Sequence, residues 1–333
     1  MKKPVLALLP GDPCGIGPEI TARYLNANSF PEGVRIAVMG DRKVLDQGAL
    51  ICGIDLDLPG YADIKSVPED LDVFHIQSHN APDGLPMGKL SAEAGCYAYS
   101  MLNASLKMAL EDEVQGIVFA PFNKQALKLG GNPEKNELEL LKSIFNRPDI
   151  HGEINILNQF WTTRVTSHVP IGDIPLYMKK ERILECIHFL NNEMKACGIT
   201  PNIAVAALNP HGGEGGLCGR EEIEAIEPAA EEARKQGLSV LGPYPADTLF
   251  VRLEKEGING VLGMYHDQIQ IPSKLMGFDQ GVTLIGGLPI PVTTSSHGTA
   301  FDIAGQGKAG FTAFSNAVNI AADISKKGEK NHY

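Results

Sequence analysis

Short apolar, β-branched runs alternate with longer amphipathic segments along this chain, and that alternation constrains the fold more than any other feature. The runs are VLALL (5–9), RIAVMG (35–40), GIVFA (116–120), INIL (154–157), IAVAAL (203–208) and GVLGMYH (260–266), which read as buried strands. Between them, residues 91–112 and 179–198 carry apolar side chains at helical spacing, and Gly198 suits the end of the second helix. Residues 219–237 place acids in the first turns and Lys/Arg in the last, as a helix dipole favours. Strands alternating with helices predict an α/β fold with a largely parallel sheet.

The length, 333 residues with 43% hydrophobic and 21% charged, accommodates two domains or one large α/β unit. A net charge of −11 argues against nucleic acid or an anionic membrane as partner. The only basic cluster, KKGEK (326–330), reads as a solvated helix end. The six cysteines show no C-x-x-C pair and irregular gaps, which predicts reduced thiols and a cytoplasmic location. Near the N-terminus the apolar run stops at Pro10-Gly11-Asp12, too early for a signal peptide, so it is read as the first strand. No apolar stretch approaches the roughly 18 residues that span a bilayer. Residues 128–154 are polar and turn-rich at both ends, as a domain crossing or a mobile substrate loop would be.

In open α/β sheets, ligands bind at the carboxyl ends of strands. PGDPCGIGPE (10–19), APFNK (120–124), SHVPIGD (167–173), NPHGGEGG (209–216) and HDQ (266–268) each follow a strand-like run, and this convergence points to an enzyme. Neither GDPCGIGPE nor NPHGGEGG spells a dinucleotide fingerprint or a P-loop; each reads as a binding loop or as a strand-to-helix turn. His168, His211 and His266 all lie just past strand-like runs. Three imidazoles can hold a divalent metal and leave a position for an oxygen ligand, although ordinary hydrogen-bonded histidines are the competing reading. His75, His79, His151, His188 and His332 lack this placement. HGTAFDIAGQGKA (297–309) is either a loop ahead of the last helix or a backbone-rich cofactor loop with Asp302 available to a hydroxyl.

Taken in order, LLPGDPCGIGPEI, APFNK, HVPIGDIP, LNPHGGEGGLCGREEIEAIEPA, GPYPADTLF, MYHDQ and GLPIPVTTSSHGTAFDIAG resemble the 4-hydroxythreonine-4-phosphate dehydrogenase family, paralogues included. The match runs from about residue 4 to about residue 322 and is poor around 45–85 and 128–160. The resemblance implies a fold like isocitrate and isopropylmalate dehydrogenases, with two α/β domains and the active site in the cleft between them. Residues 1–128 with 275–333 would bind the cofactor; residues 129–274 would carry metal, substrate and dimer contacts. It implies a homodimer and one divalent metal, zinc or magnesium, on His168, His211 and His266, with His211 supplied to the partner's site. It implies NAD, with NADP as the alternative, on His297, Gly298, Thr299, Ala300, Asp302 and Ile303. The implied reaction oxidises a secondary alcohol and then decarboxylates the β-keto acid, as in vitamin B6 biosynthesis. Lys274 matches the family's substrate lysine, and Asp247 and Asp267 are expected to orient the metal histidines.

The chain departs from the pattern at the substrate end. The family's Asn and Arg positions fall on Thr283 and Val292, and the nearest counterpart of its His-Thr pair is Asn136-Glu137. Val lacks the planar fork with which Arg grips a phosphate. Lys124, Lys135 and Arg164 are the candidate replacements. The alternative substrates are a four-carbon sugar-acid phosphate (threonate or erythronate 4-phosphate) and a non-phosphorylated cis-dihydrodiol carboxylate, whose ring Val292 would suit.

Overall fold

The computed structural model describes residues 3–147, 152–277 and 279–327. His151, His332 and residues 328–330 of the basic cluster lie outside them. The chain divides into two compact units, Met1–Gly152 with Val282–Tyr333, and Glu153–Gly281.

The first unit contains strands β1 (Val5–Leu9), β2 (Arg35–Gly40), β3 (Gly60–Tyr61), β4 (Val73–Gln77) and β5 (Gly116–Phe119). The second contains β6 (Glu153–Leu157), β7 (Phe160–Arg164), β8 (Ile203–Ala206), β9 (Val240–Tyr244) and β10 (Gly260–Gly263). Strands β11 (Val282–Ile285) and β12 (Val292–Ser295) return to the first unit. The helices of the first unit are α1 (Gly17–Ala27), α2 (Arg42–Ile51), α3 (Ala92–Leu110), α4 (Lys124–Leu129) and α5 (Glu137–Ile144). Those of the second are α6 (Lys180–Ala196), α7 (Glu227–Lys235), α8 (Ala246–Leu249) and α9 (His266–Gly277), and α10 (Thr312–Lys327) closes the first unit.

In the first unit the strand order is β3-β4-β2-β1-β5-β12-β11, parallel except for the β11–β12 pair. In the second it is β6-β7-β10-β8-β9, parallel except for β6–β7. Both units are thus the α/β architecture that the alternation predicts. The strands β1, β2, β5, β8 and β10 are buried along their whole length, which explains their uninterrupted apolar runs. Each large aliphatic side chain so buried contributes about 1.5–3 kcal/mol relative to exposure.

Residues 129–147 pack with the first unit, whereas the sequence reading grouped them with the second domain. Leu140 and Leu141 of α5 are buried in the same core as Leu9, Ile117 and Phe119. Residues 275–281 belong to the second unit, because α9 continues to Gly277. Strand β7 escaped the sequence reading. It forms a hairpin with β6 through a two-residue turn at Asn158 (φ 53°) and Gln159. Its hydroxyls are satisfied locally, since Thr162 Oγ1 donates to Asn155 O and Thr163 Oγ1 to Glu153 O. Residues 219–237 are not one regular helix. A π-helical turn spans Glu222–Ile226 before α7, and Glu227 N–H donates to Glu222 O. Pro228, which has no N–H to give, stands in the first turn of α7. Gly198 follows α6 at φ 68° and donates to Lys195 O, as its expected capping role requires.

Candidate active site

In the first unit the carboxyl ends of three neighbouring strands deliver three loops to one edge. β1 leads into 10–19, β5 into 120–124 and β12 into 297–309. Asp12 N–H donates to Pro121 O at 3.0 Å, and Ile16 N–H donates to Thr299 O at 3.1 Å. Gly11 sits at φ 76° with its α-carbon against the 120–124 loop, where a Cβ would fall 2.4 Å from Ala120 O.

The 297–309 loop is clamped onto α1. Glu19, fully buried, accepts Gly305 N–H at 2.5 Å and Gly307 N–H at 2.9 Å through its two carboxylate oxygens. Arg23, one turn further on, donates to Gly307 O. The sequence reading missed both residues. Acids in a helix's first turn are already explained by the helix dipole, so Glu19 carried no separate signal. The loop's remaining surface is open. Nothing lies near the place where a Gly298 side chain would be, Ala300 is left-handed (φ 44°), and the Asp302 side chain is exposed. His297 is half-buried with Nδ1 3.2 Å from Gly298 O, and burial holds its imidazole below the ordinary range. Ile303 N–H closes a turn on Ala300 O. Exposed backbone, a left-handed turn and a free-standing carboxylate suit a dinucleotide's ribose.

Asp12 is buried at 1% exposure. Its Oδ1 accepts Cys14 N–H at 2.9 Å, while Oδ2 has no partner among the described residues. Burial pushes its carboxyl up to about 6, partly offset by the Cys14 N–H.

In the second unit the adjacent strands β7, β10 and β8 lead to His168, His266 and His211 respectively. The His168 and His266 rings lie with centroids 5.7 Å apart, tilted by 40°. Two contacts fix the backbone beneath them: Thr166 donates to Met264 O from both N (3.1 Å) and Oγ1 (2.8 Å). Buried Gln268 ties in the third strand, donating to Ala207 O at 2.7 Å and accepting Met264 N–H at 2.6 Å. His266 Nδ1 is 2.6 Å from Asp267 Oδ1. A carboxylate only accepts, so in this contact Nδ1 is the donor. Two facing imidazoles, one carrying a carboxylate behind it, fit the nitrogen-donor chemistry of zinc and similar divalent ions. Among the described residues, no three His, Cys, Asp or Glu side chains converge into a metal-holding group within one chain.

His211 begins six consecutive positive-φ residues, His211 to Gly216, two of which are not glycine. Such backbone costs roughly 1–3 kcal/mol at each non-glycine position and needs support from its surroundings. Glu222 and Glu221 give it. Glu222 Oε1 accepts Leu208 N–H and Asn209 N–H, both at 2.8 Å. The Asn209 amide donates to Glu222 Oε2 at 2.9 Å and to Glu221 Oε2 at 2.7 Å. Gly219 leaves room for that amide; a Cβ there would fall 2.3 Å from it. The His211 side chain is 72% exposed, with Nδ1 4.0 Å from Glu214. Leu217, on the same loop, is 85% exposed, and α8, carrying Asp247, packs against the loop.

The remaining site expectations fare unevenly. Lys274 stands exposed on α9, two turns beyond His266. Asp247 is also exposed, and no hydrogen bond joins it to a histidine among the described residues, whereas Asp267 meets His266. Thr283 on β11 places Oγ1 3.0 Å from Ser296 Oγ. Val292 is a correction: it is fully buried in the first core with Ile117, Ile285 and Leu288 and offers no surface to a substrate. Asn136 is the N-cap of α5, its Oδ1 accepting Glu139 N–H at 3.0 Å, and Glu137 is buried beside it. Arg164 is no spare phosphate ligand, being 3% exposed and bound to Glu153, Asn155 and Ser167.

Known proteins match this chain closely. A family model described as "Pyridoxal phosphate biosynthetic protein PdxA" matches residues 32–321. A Rhizobium meliloti protein provisionally named 4-hydroxythreonine-4-phosphate dehydrogenase 2 is 40% identical over 98% of this chain and 94% of its own. An Oceanobacillus iheyensis protein provisionally named D-threonate 4-phosphate dehydrogenase is 35% identical over 97% of this chain and 98% of its own. The crystal structure of 4-hydroxythreonine-4-phosphate dehydrogenase from Klebsiella pneumoniae superposes with a TM-score of 0.84 at 32% identity, covering 97% of this chain and 98% of that one.

Proposed function

The chain belongs to the PdxA family, and from that premise we propose that it is an NAD- and divalent-metal-dependent dehydrogenase that decarboxylates its product. The substrate's carbinol carbon gives up a hydride and its hydroxyl a proton, and the resulting β-keto acid loses CO₂. The observation that carries this reading is the His168–His266 pair with Asp267 behind it, standing on the helix that also bears Lys274. When bound, the divalent ion supplies Lewis acidity and the nicotinamide accepts the hydride.

This chain's residues do the rest. Asp267 engages His266 Nδ1 and so leaves Nε2 as the nitrogen that would hold the ion. Lys274 neutralises an anionic group of the substrate or exchanges its proton. Asp302 accepts a ribose hydroxyl and repels a 2′-phosphate, which favours NAD over NADP. The third imidazole is His211 of a second copy, in a homodimer. Its exposure on a braced, strained loop beside exposed Leu217 supports that assignment.

On substrate, 4-hydroxythreonine 4-phosphate is the leading reading, from the relatives' names. A four-carbon sugar-acid phosphate is the second. It is favoured by the names of other relatives, which are provisionally D-threonate 4-phosphate dehydrogenases. NADH formation, measured with 4-hydroxythreonine 4-phosphate, the threonate and erythronate 4-phosphates and a cis-dihydrodiol carboxylate, tests the assignment. Turnover of one of these, abolished by a chelator and restored by zinc or magnesium, is expected. Turnover of none, or turnover indifferent to the chelator, overturns it.

A further inference from the structure

Arg164 ends β7 with its side chain 3% exposed. A buried guanidinium is tolerated only where its N–H groups find acceptors. Here Nη2 donates to Glu153 Oε2 at 2.9 Å, Nη1 to Asn155 Oδ1 at 2.7 Å and Nε to Ser167 Oγ at 3.0 Å. The first contact is the local one. The β6–β7 register pairs Asn155 with Thr162, which puts Glu153 directly opposite Arg164 as an oppositely charged cross-strand neighbour.

The other two contacts lead to the two histidines. Ser167 immediately precedes His168. Asn155 Oδ1 also accepts Gln270 Nε2 at 2.6 Å. Gln270 stands four residues after His266 and four before Lys274 on α9, so all three lie along one side of that helix. One planar group therefore holds the loop of His168 by one N–H and, through Asn155 and Gln270, the helix of His266 by another.

We propose that Arg164 is a positioning residue that sets the spacing of His168 and His266 by bracing Ser167 on one side and the Asn155–Gln270 pair on the other; this rests on reading the two histidines as metal ligands. Lysine could not substitute, because one ammonium on a flexible stem cannot present three donors in fixed directions.

Cobalt(II) titration of the metal-free full-length protein, followed by the absorption bands of the bound ion, tests the idea. The variants are Ser167→Ala, Gln270→Leu, the double variant, and Ser167→Thr, which keeps the hydroxyl. Ser167 is exposed, so its replacement leaves the fold alone, and thermal midpoints check this. Each single variant is expected to bind cobalt roughly tenfold or more weakly, with altered bands, as for other residues that orient metal ligands. Ser167→Thr is expected to restore wild-type binding. The double variant is expected to lose less than the product of the single losses, because Ser167 and Gln270 are coupled through Arg164. Wild-type cobalt affinity and bands in both single variants, or strictly multiplicative losses, overturn the proposal. Failure of the wild type itself to bind cobalt overturns the metal-site reading, and this inference with it.

Discussion

His266 Nδ1 and Asp267 Oδ1, on adjacent residues at the start of α9, are 2.6 Å apart. Neighbours in sequence rarely need a helix to meet, but here the helix start determines where the ring points. With Nδ1 committed to the carboxylate, only the other ring nitrogen is left for a ligand, and the His168 ring lies 5.7 Å from this one, centroid to centroid.

Asp267→Ala is therefore expected to leave the fold intact and weaken divalent-metal binding by about 10–100-fold, the usual effect of losing a carboxylate behind a metal-binding imidazole. Competition with a chromogenic chelator measures it. Unchanged affinity would show that the ring needs no such support.

Glu19 is the corresponding prediction for the first unit. Its carboxylate is the acceptor for two N–H groups of the 297–309 loop. Glu19→Ala leaves both without that acceptor, at about 1–3 kcal/mol for each group that stays buried. The expected result is a KM for NAD raised roughly tenfold or more, with a smaller effect on the KM for the other substrate. Glu19→Gln retains one acceptor and should fall between. Steady-state kinetics with each substrate varied in turn distinguishes this from a general loss of stability, which would lower the active fraction without moving either KM.

Asp12 makes a prediction about pH. Its folded carboxyl titrates at about 6, raised by burial from an unfolded value of 3.8. The folded state thus keeps a proton that the unfolded state has released, and stability falls as pH rises from about 4 to about 6. Above that window the ionised, half-partnered carboxylate is a full penalty of about 3 kcal/mol at most. Asp12→Asn can keep an oxygen for Cys14 N–H while removing the titration. Its thermal midpoint relative to the wild type should therefore climb between pH 4 and pH 7 and level off beyond. A difference that stays flat with pH would place the proton elsewhere.

These residues also mark what could be read without coordinates. The fully buried strands were legible because a strand covered on both faces has to be apolar throughout. The placement of the three histidines just past strand ends was legible because it follows from the order of strands and loops. β7 was not, because FWTTR satisfies its threonines within a hairpin and so does not look buried. Glu19, Glu222 and Gln268 were not, because their partners are backbone groups of segments that the fold brings from elsewhere. Val292 misled for a related reason: spacing identified a position in a pattern, whereas burial depends on β5 and β11 on either side. Charged and polar groups whose only role is to hold backbone leave no periodic trace.

The last prediction concerns His211. If its imidazole serves the second copy of a dimer, His211→Ala and His168→Ala each lose activity alone, yet their defects lie in different chains of one site. A mixed dimer then contains one intact site, with His168 and His266 from the first chain and His211 from the second. Random reassortment of equal amounts makes half the dimers mixed, so roughly a quarter of wild-type activity should return. Glu222→Ala, which removes the acceptor under Leu208 and Asn209, should weaken activity in the same complementation group as His211→Ala, since both disable what the chain gives rather than what it keeps. Activity of refolded or co-expressed mixtures measures both. Recovery in neither mixture would mean that His211 serves its own chain or none.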